Sequence, residues 1–293
     1  MVETGYPARV PELPEVEVLV RHLHPSLKDK TIANVQVRRD KVLAPTPPRV
    51  FARTLSRAKF EAVTRRGKYL LFALRRPGQD EPLQVLGHLG MTGRMFLAPA
   101  EAPIPKHAAV ILSLGKEKFV FEDTRYFGRL TLDLRALDKL GPEPLARGFT
   151  AESLSKRLGR SAQPIKIKLL DQSVLAGVGN IYASEALFRA GISPAKPART
   201  LGAVRIRRLW QVLRGVLRDA IRRGSTVPLD FGGTGERDGL FYFGRAVDTP
   251  ASYRERLLVY DREGQTCFRC GTRIRRKVQA ARSTYFCPHC QRK

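Results

Sequence analysis

The sequence predicts an α+β protein: an N-terminal helix plus a β-sandwich or barrel, then an all-helical region that ends in a cysteine-bearing β-hairpin. Three observations carry this. Between residues 31 and 134, seven or eight short β-rich runs are separated by turn residues. Past Gly141-Pro142-Glu143-Pro144 the apolar spacing changes to that of helices. All four cysteines fall in the last 27 residues, as two Cys-x-x-Cys pairs. A chain of 293 residues is long enough for about two domains, each with a core of its own.

The first element is a short amphipathic helix over 13–23. It has Leu13, Val16, Val20 and Leu23 on one stripe, Pro14 in the first turn, and Glu15 and Glu17 near the positive end of the dipole. Strands follow at 31–37, 60–64, 69–74, 83–86, 94–97, 110–114, 119–122 and 129–134, and that density points to a sandwich or barrel. Residues 141–149 read as a linker. Helices are expected at 164–170 and 181–189. They are joined by a segment whose Gly177 and Gly179 permit tight turns and whose Asn180 is a good N-cap. A longer helix over 201–223 aligns Leu209, Val212, Leu213, Val216, Leu217 and Ile221 on one side. Residues 224–256, with Phe241, Tyr242 and Phe243, form a long loop of the kind that is functional or disordered.

Charge narrows the partner. The formal net charge is +26, with 25 basic and 16 acidic residues up to residue 150 and 28 and 11 after it. From Cys267 to Lys293 there are eight Lys or Arg and no acid, and residues 205–223 hold seven Arg against one Asp. An apolar fraction of 43% excludes an acidic solvating chain and a low-complexity one. Without a membrane-length apolar run or a secretory signal, the expectation is a cytoplasmic protein drawn to a polyanion, nucleic acid before a membrane surface.

Cys267-x2-Cys270 and Cys287-x2-Cys290, sixteen residues apart, match a four-thiolate tetrahedral zinc site on a hairpin. Two disulfides are the alternative, and His289 sits inside the second pair as a bystander. Four protein ligands leave no open position, so the metal is expected to be structural, one Zn2+ per chain. Between the knuckles, Arg273, Arg275, Arg276, Lys277 and Arg282 suit phosphate contact.

Pro11-Glu12-Leu13-Pro14-Glu15-Val16-Glu17 resembles the N-terminus of the formamidopyrimidine-DNA glycosylase and endonuclease VIII family, which repairs oxidised bases. It is followed in order by Gly67-Lys68-Tyr69-Leu70, His88-Leu89-Gly90-Met91-Thr92-Gly93, Asp123-Thr124-Arg125-Tyr126-Phe127-Gly128, Gly177-Val178-Gly179-Asn180-Ile181-Tyr182-Ala183-Ser184-Glu185 and the paired cysteines. The series spans residues 11 to 290. The resemblance implies a β-sandwich domain over 11–140, the 141–149 linker, a helix-two-turn-helix DNA-binding domain over 150–223, a lesion-capping loop over 224–256 and a zinc finger over 257–293.

It further implies a bifunctional DNA glycosylase and abasic-site lyase acting on damaged double-stranded DNA, as a nucleoid-associated monomer. Pro11 is the implied nucleophile and Glu12 the acid/base that helps open the sugar. An α-amine has a reference pKa near 8 against about 10.4 for lysine, so more of it is unprotonated at neutral pH, and the adduct of a secondary amine is an iminium that acts as an electron sink. Lys68 resembles the lysine that contacts phosphate and assists elimination, and Arg282 the zinc-finger arginine on the phosphates flanking the lesion. Met91, Arg125 and Phe127 resemble the three side chains that fill the hole left by a flipped nucleotide. That set favours the formamidopyrimidine and 8-oxoguanine branch over the oxidised-pyrimidine branch. His107 matches a DNA-contacting histidine, Lys166 and Asn180 a phosphate clamp, and Glu15 either orders the active site or caps its helix. Tyr126 stands where many members have Arg. Ten residues precede Pro11, and an internal proline nitrogen has no nucleophilic lone pair. Initiation at Val10 followed by trimming, or processing of a longer product, is therefore expected. A noncatalytic zinc-ribbon DNA-binding protein with a blocked Pro11 is the reading from another class.

Overall fold

The computed structural model describes residues 11–224 and 257–292. The N-terminal extension expected at 1–10, and all of the 224–256 loop except Gly224, lie outside the described residues. The chain divides into two compact units, with the boundary between Asp138 and Lys139. Glu12–Pro14 group with the second unit although they open the N-terminal helix.

In the first unit, α1 (Leu13–Leu27) runs one turn further than its predicted end, because Leu27 continues the stripe of Val16, Leu19, Val20 and Leu23 and is fully buried. Each predicted β run is a strand. β1 (Asn34–Val37), β5 (Gly93–Pro99), β6 (Ala108–Ser113) and β7 (Glu117–Asp123) form one antiparallel sheet in the order β1-β6-β7-β5. β2 (Lys59–Arg66), β3 (Tyr69–Arg75), β4 (Leu83–His88) and β8 (Arg129–Thr131) form the other in chain order. Leu70, Phe72 and Leu74 alternate inward on β3 and share one cluster with Val110, Leu112, Phe119 and Phe121 of the facing sheet. The Phe72 and Phe119 rings meet edge to face at 5.7 Å, so the two sheets are a sandwich rather than a barrel.

Two pieces of this unit have no counterpart in the sequence reading. A 3-10 turn, Asp40–Leu43, buries Val42 and Leu43, and α2 (Pro48–Leu55) follows it, anchored by Phe51 and Leu55. Pro47-Pro48 reads as a breaker, yet proline at the first helical position fits a helix start.

The second unit holds α3 (Ala151–Leu158), α4 (Ile165–Leu170), α5 (Asn180–Ala190), α6 (Ala203–Arg222) and a hairpin of β9 (Arg275–Gln279) and β10 (Arg282–Phe286). The sequence reading missed α3, which has only Leu154 and Leu158 as buried anchors; Thr150 caps it by accepting from Ser153 N at 3.1 Å. The 141–149 stretch is not a loose linker. Gly141 N donates to Gln172 O, Arg214 Nη1 donates to Pro144 O and Ala146 O, and Trp210 Nε1 donates to Phe149 O. Arg214 is thereby a buried structural residue, while Arg205, Arg207, Arg208, Arg218 and Arg222 of the same helix are exposed. No helix among the described residues is long and apolar enough to cross a membrane.

Candidate active site and nucleic-acid interface

In the second unit, candidate site residues gather around the start of α5. Glu12 is buried, and its carboxylate accepts from Gly179 N and Ile181 N at 2.8 Å and from Tyr182 N at 3.3 Å. The N-cap position belongs to Gly179, and Asn180 is the first helical residue, so the expected Asn180 cap is corrected: a carboxylate from the far end of the sequence does that work. Asn180 Oδ1 is left buried with no hydrogen-bond partner. The two glycines before it have different reasons. Gly177, at φ +86°, needs the left-handed region, and a side chain there would also strike Leu13. At Gly179 the reason is space, since a Cβ would lie 2.3 Å from the Glu12 carboxyl carbon. Gln172 stitches the turns between α4 and α5, accepting from Gly177 N and donating to Leu170 O and Val178 O.

Lys166 differs from expectation. It has no exposed surface, and its ammonium donates to Ser283 O at 2.9 Å and Thr284 Oγ1 at 2.7 Å, tying α4 to β10 instead of facing a phosphate. Burial brings its pKa down to about 7, with Glu12 opposing the shift and the positive Lys277 and Arg282 adding to it. Arg282 itself is exposed at the head of β10. The four cysteine sulfurs lie within 4.8 Å of one another, with Cys267–Cys290 at 3.9 Å and Cys270–Cys287 at 3.5 Å. A tetrahedron with Zn–S near 2.3 Å has edges of about 3.8 Å, so the donor set fits zinc, and these separations exclude disulfides. His289 is exposed and lies outside the cluster. Glu185 fixes the returning chain: its buried carboxylate accepts from Leu258, Val259 and Tyr260 N–H groups and pairs with Arg189 at 2.8 Å.

The first unit brings Met91, Arg125 and Phe127 together. Arg125 Nη2 lies 2.9 Å from Met91 Sδ, and its guanidinium lies 5.5 Å from the centre of the Phe127 ring, which is 52% exposed. Buried Asp123 shapes this loop, accepting from Thr92 Oγ1, Arg125 N and Gly128 N. Gly90, at φ +62°, lets the Met91 turn touch it, since a Cβ would lie 2.7 Å from Gly128 N. Tyr126, also left-handed at φ +54°, turns inward against the core, with Arg39 at 5.4 Å from its ring and its hydroxyl 3.5 Å from His107 Nδ1. Lys68 sits in the two-residue turn between β2 and β3. His88 packs against Tyr69, the ring centres 4.8 Å apart and the planes tilted by 43°, and accepts from Gly90 N; burial first, then repulsion from Lys68 and Arg129, pulls its pKa down to about 4. Pro11 is buried and Glu15 fully so.

Three family descriptions match: formamidopyrimidine-DNA glycosylase N-terminal domain over residues 10–130, formamidopyrimidine-DNA glycosylase H2TH domain over 140–229, and zinc finger found in FPG and IleRS over 264–292. The formamidopyrimidine-DNA glycosylase of Chloroflexus aggregans is 43% identical, covering 96% of this chain and 98% of its own. The chain belongs to the formamidopyrimidine-DNA glycosylase family. The Thermus thermophilus formamidopyrimidine-DNA glycosylase is 41% identical over 96% of the chain and 98% of its own. Among solved structures, MutM in complex with DNA containing carbocyclic 8-oxo-G (31% identity) and a Lactococcus lactis FPG mutant in complex with Fapy-dG containing DNA (30%) each superpose with a TM-score of 0.83 over 97% of this chain and 100% of theirs. As a member of that family, the chain has its fold of sandwich, helix-two-turn-helix and zinc-finger hairpin. Sequence reasoning assigned no role to Asp123, Gln172 or Glu185. All three lie in or beside quoted motifs and act on backbone N–H groups, which no spacing rule detects.

Proposed function

We propose that this chain is a bifunctional DNA glycosylase and abasic-site lyase that excises oxidised purines, formamidopyrimidine and 8-oxoguanine, from duplex DNA. The observation that carries the reading is the Glu12 carboxylate, seated on three N–H groups at the start of α5 and directly after Pro11 in the chain. A free Pro11 amine attacks the sugar C1′ as the damaged base departs with its bonding pair; the new ammonium loses its proton, and the C1′–O4′ bond then breaks with O4′ taking a proton, giving the iminium. Loss of the C2′ proton then drives β-elimination of the 3′ phosphate, and δ-elimination of the 5′ phosphate follows. Glu12, held in one orientation, exchanges the proton that opens the sugar. Lys68 assists elimination, and the exposed Arg282 meets the phosphates beside the lesion. Met91, Arg125 and Phe127 fill the vacated stack, with the guanidinium toward the orphaned base. His107 and the Nδ2 amide of Asn180 donate to the DNA backbone, while Lys166 anchors β10 through Ser283 and Thr284. One zinc ion per chain, when bound, cross-links the hairpin and neutralises its thiolates.

This chemistry requires Pro11 to be the chain terminus, through initiation at Val10 with trimming or through processing. The intact mass of active enzyme from its native host is expected to lack residues 1–10, and a mass that includes them contradicts the proposal. The substrate branch is tested by single-turnover excision of 8-oxoguanine opposite cytosine against an oxidised pyrimidine, with the purine expected to be faster. A Lactococcus lactis Fpg (MutM) has been solved with oxidised-pyrimidine DNA, which keeps that substrate as the direct comparison.

A further inference from the structure

Beside the wedge residues lies a segment that the proposed mechanism does not use. Arg38 N and Arg39 N both donate to Ala109 O, at 2.8 and 3.2 Å, and the following 3-10 turn buries Val42 and Leu43. The backbone is thus anchored at both ends while Arg39, Asp40 and Lys41 are exposed. Lys41 Nζ lies 5.7 Å from the centre of the Phe127 ring and Arg125 lies 5.5 Å from the same ring, so two cations flank one half-exposed aromatic. Arg39 packs on the neighbouring Tyr126 ring.

Some exposed cations of this unit are held in ion pairs. Arg21, Lys59, Arg75 and Arg135, all exposed, each meet a carboxylate. Among the described residues Arg39 and Lys41 meet none, and Asp40 between them pairs with neither. An aromatic face holds a cation without consuming its N–H donors. Arg39 uses only one donor internally, Nη1 to Arg38 O at 3.0 Å, so both heads are oriented yet keep their hydrogen-bonding capacity. Oriented cations with free donors on either side of an apolar wedge match the chemistry of a duplex, where an inserted ring meets bases and its flanks meet phosphates.

We infer that Arg39 and Lys41 form a phosphate-binding element that grips the DNA backbone at the step Phe127 enters. The inference rests on the wedge reading above and adds a contact to it.

The test uses protein spanning Pro11 to Lys293 and a duplex carrying a tetrahydrofuran abasic analogue next to a fluorescent base analogue. Binding is measured from 50 to 300 mM salt for the wild type and the Arg39→Gln/Lys41→Gln double variant. Two lost phosphate contacts are expected to make the slope of log K against log salt shallower by about 1.8, at about 0.9 per contact. At saturation the stacking signal of the fluorescent base is expected to be unchanged. Replacing single phosphates near the lesion by methylphosphonates should weaken the wild type at one or two positions and leave the double variant unaffected there. An unchanged slope, or equal methylphosphonate effects on both proteins, overturns the inference while the wedge stands. If the wild type gives no stacking signal, or Phe127→Ala gives the same one, the wedge reading itself fails and takes the inference with it.

Discussion

Glu12 seats the start of α5, and the proposed function gives it a second, catalytic role that can be separated from the first. Glu12→Ala leaves three N–H groups at the start of α5 unpaired and is expected to cost about 1–3 kcal/mol of stability in denaturant unfolding. Glu12→Gln keeps one acceptor oxygen, so it should lose less stability while its single-turnover excision falls as far as that of the alanine variant. His88 gives a pH signature. Its native pKa of about 4 lies below the ordinary 6.5, so on acidification the unfolded chain takes up this proton first. The resulting stability is complete above about pH 6.5 and is lost as pH falls toward 4. Between pH 7.5 and 4.5 the wild type is expected to lose up to roughly 3 kcal/mol more than His88→Gln in unfolding titrations. Lys166 shows where reading residues one at a time stops. A lysine in a basic chain reads as exposed, and its burial depends on Ser283 and Thr284, more than a hundred residues away.

Elements were most legible where β-rich runs were bounded by turn residues. The eight strands of the sandwich were read from β-rich runs between turn residues; β3 alternates cleanly, while β6 and β7 are buried nearly throughout because they also build a second cluster with Phe96. α2 and α3 escaped because eight residues with two buried anchors make too little periodicity to register. The order of motifs named the candidate site, yet the local work at α5 was invisible, since its cap comes from the other end of the sequence. The hairpin turn between β9 and β10 is built from Ala280 and Ala281, both left-handed at φ +46° and +55°. Such a two-residue turn favours glycine. Ala281→Gly is expected to raise stability by about 0.5–1 kcal/mol, read as a Tm increase of about 2 °C, with no change in the cysteine cluster. Metal removal should act on this same element. Four facing thiolates lose their counter-charge, and Cys267 and Cys287 belong to the local core with Phe188, Val259 and Ile274. Hydrogen exchange after chelation is expected to speed up in β9 and β10 while β2 to β4 stay protected.

At the scale of the whole molecule, the net charge of +26 divides into residues that build and residues that bind. Arg214 builds, and Arg214→Ala is expected to cost about 1.5–3 kcal/mol by leaving the Pro144 and Ala146 carbonyls without their donor. The exposed arginines of α6 attract polyanions at large, so charge-removing substitutions there should flatten the salt dependence of nonspecific binding and leave excision nearly unchanged. In the proposed function the chemistry converges on one atom, the nitrogen of Pro11. The most direct measurement is borohydride trapping on an 8-oxoguanine duplex, comparing protein that opens at Pro11 with protein whose intact mass shows residues 1–10 still attached. The expected result is a covalent adduct with the first protein alone, mapped by peptide mass to Pro11. An equal adduct with the extended chain, or one mapped to any other residue, would contradict the account.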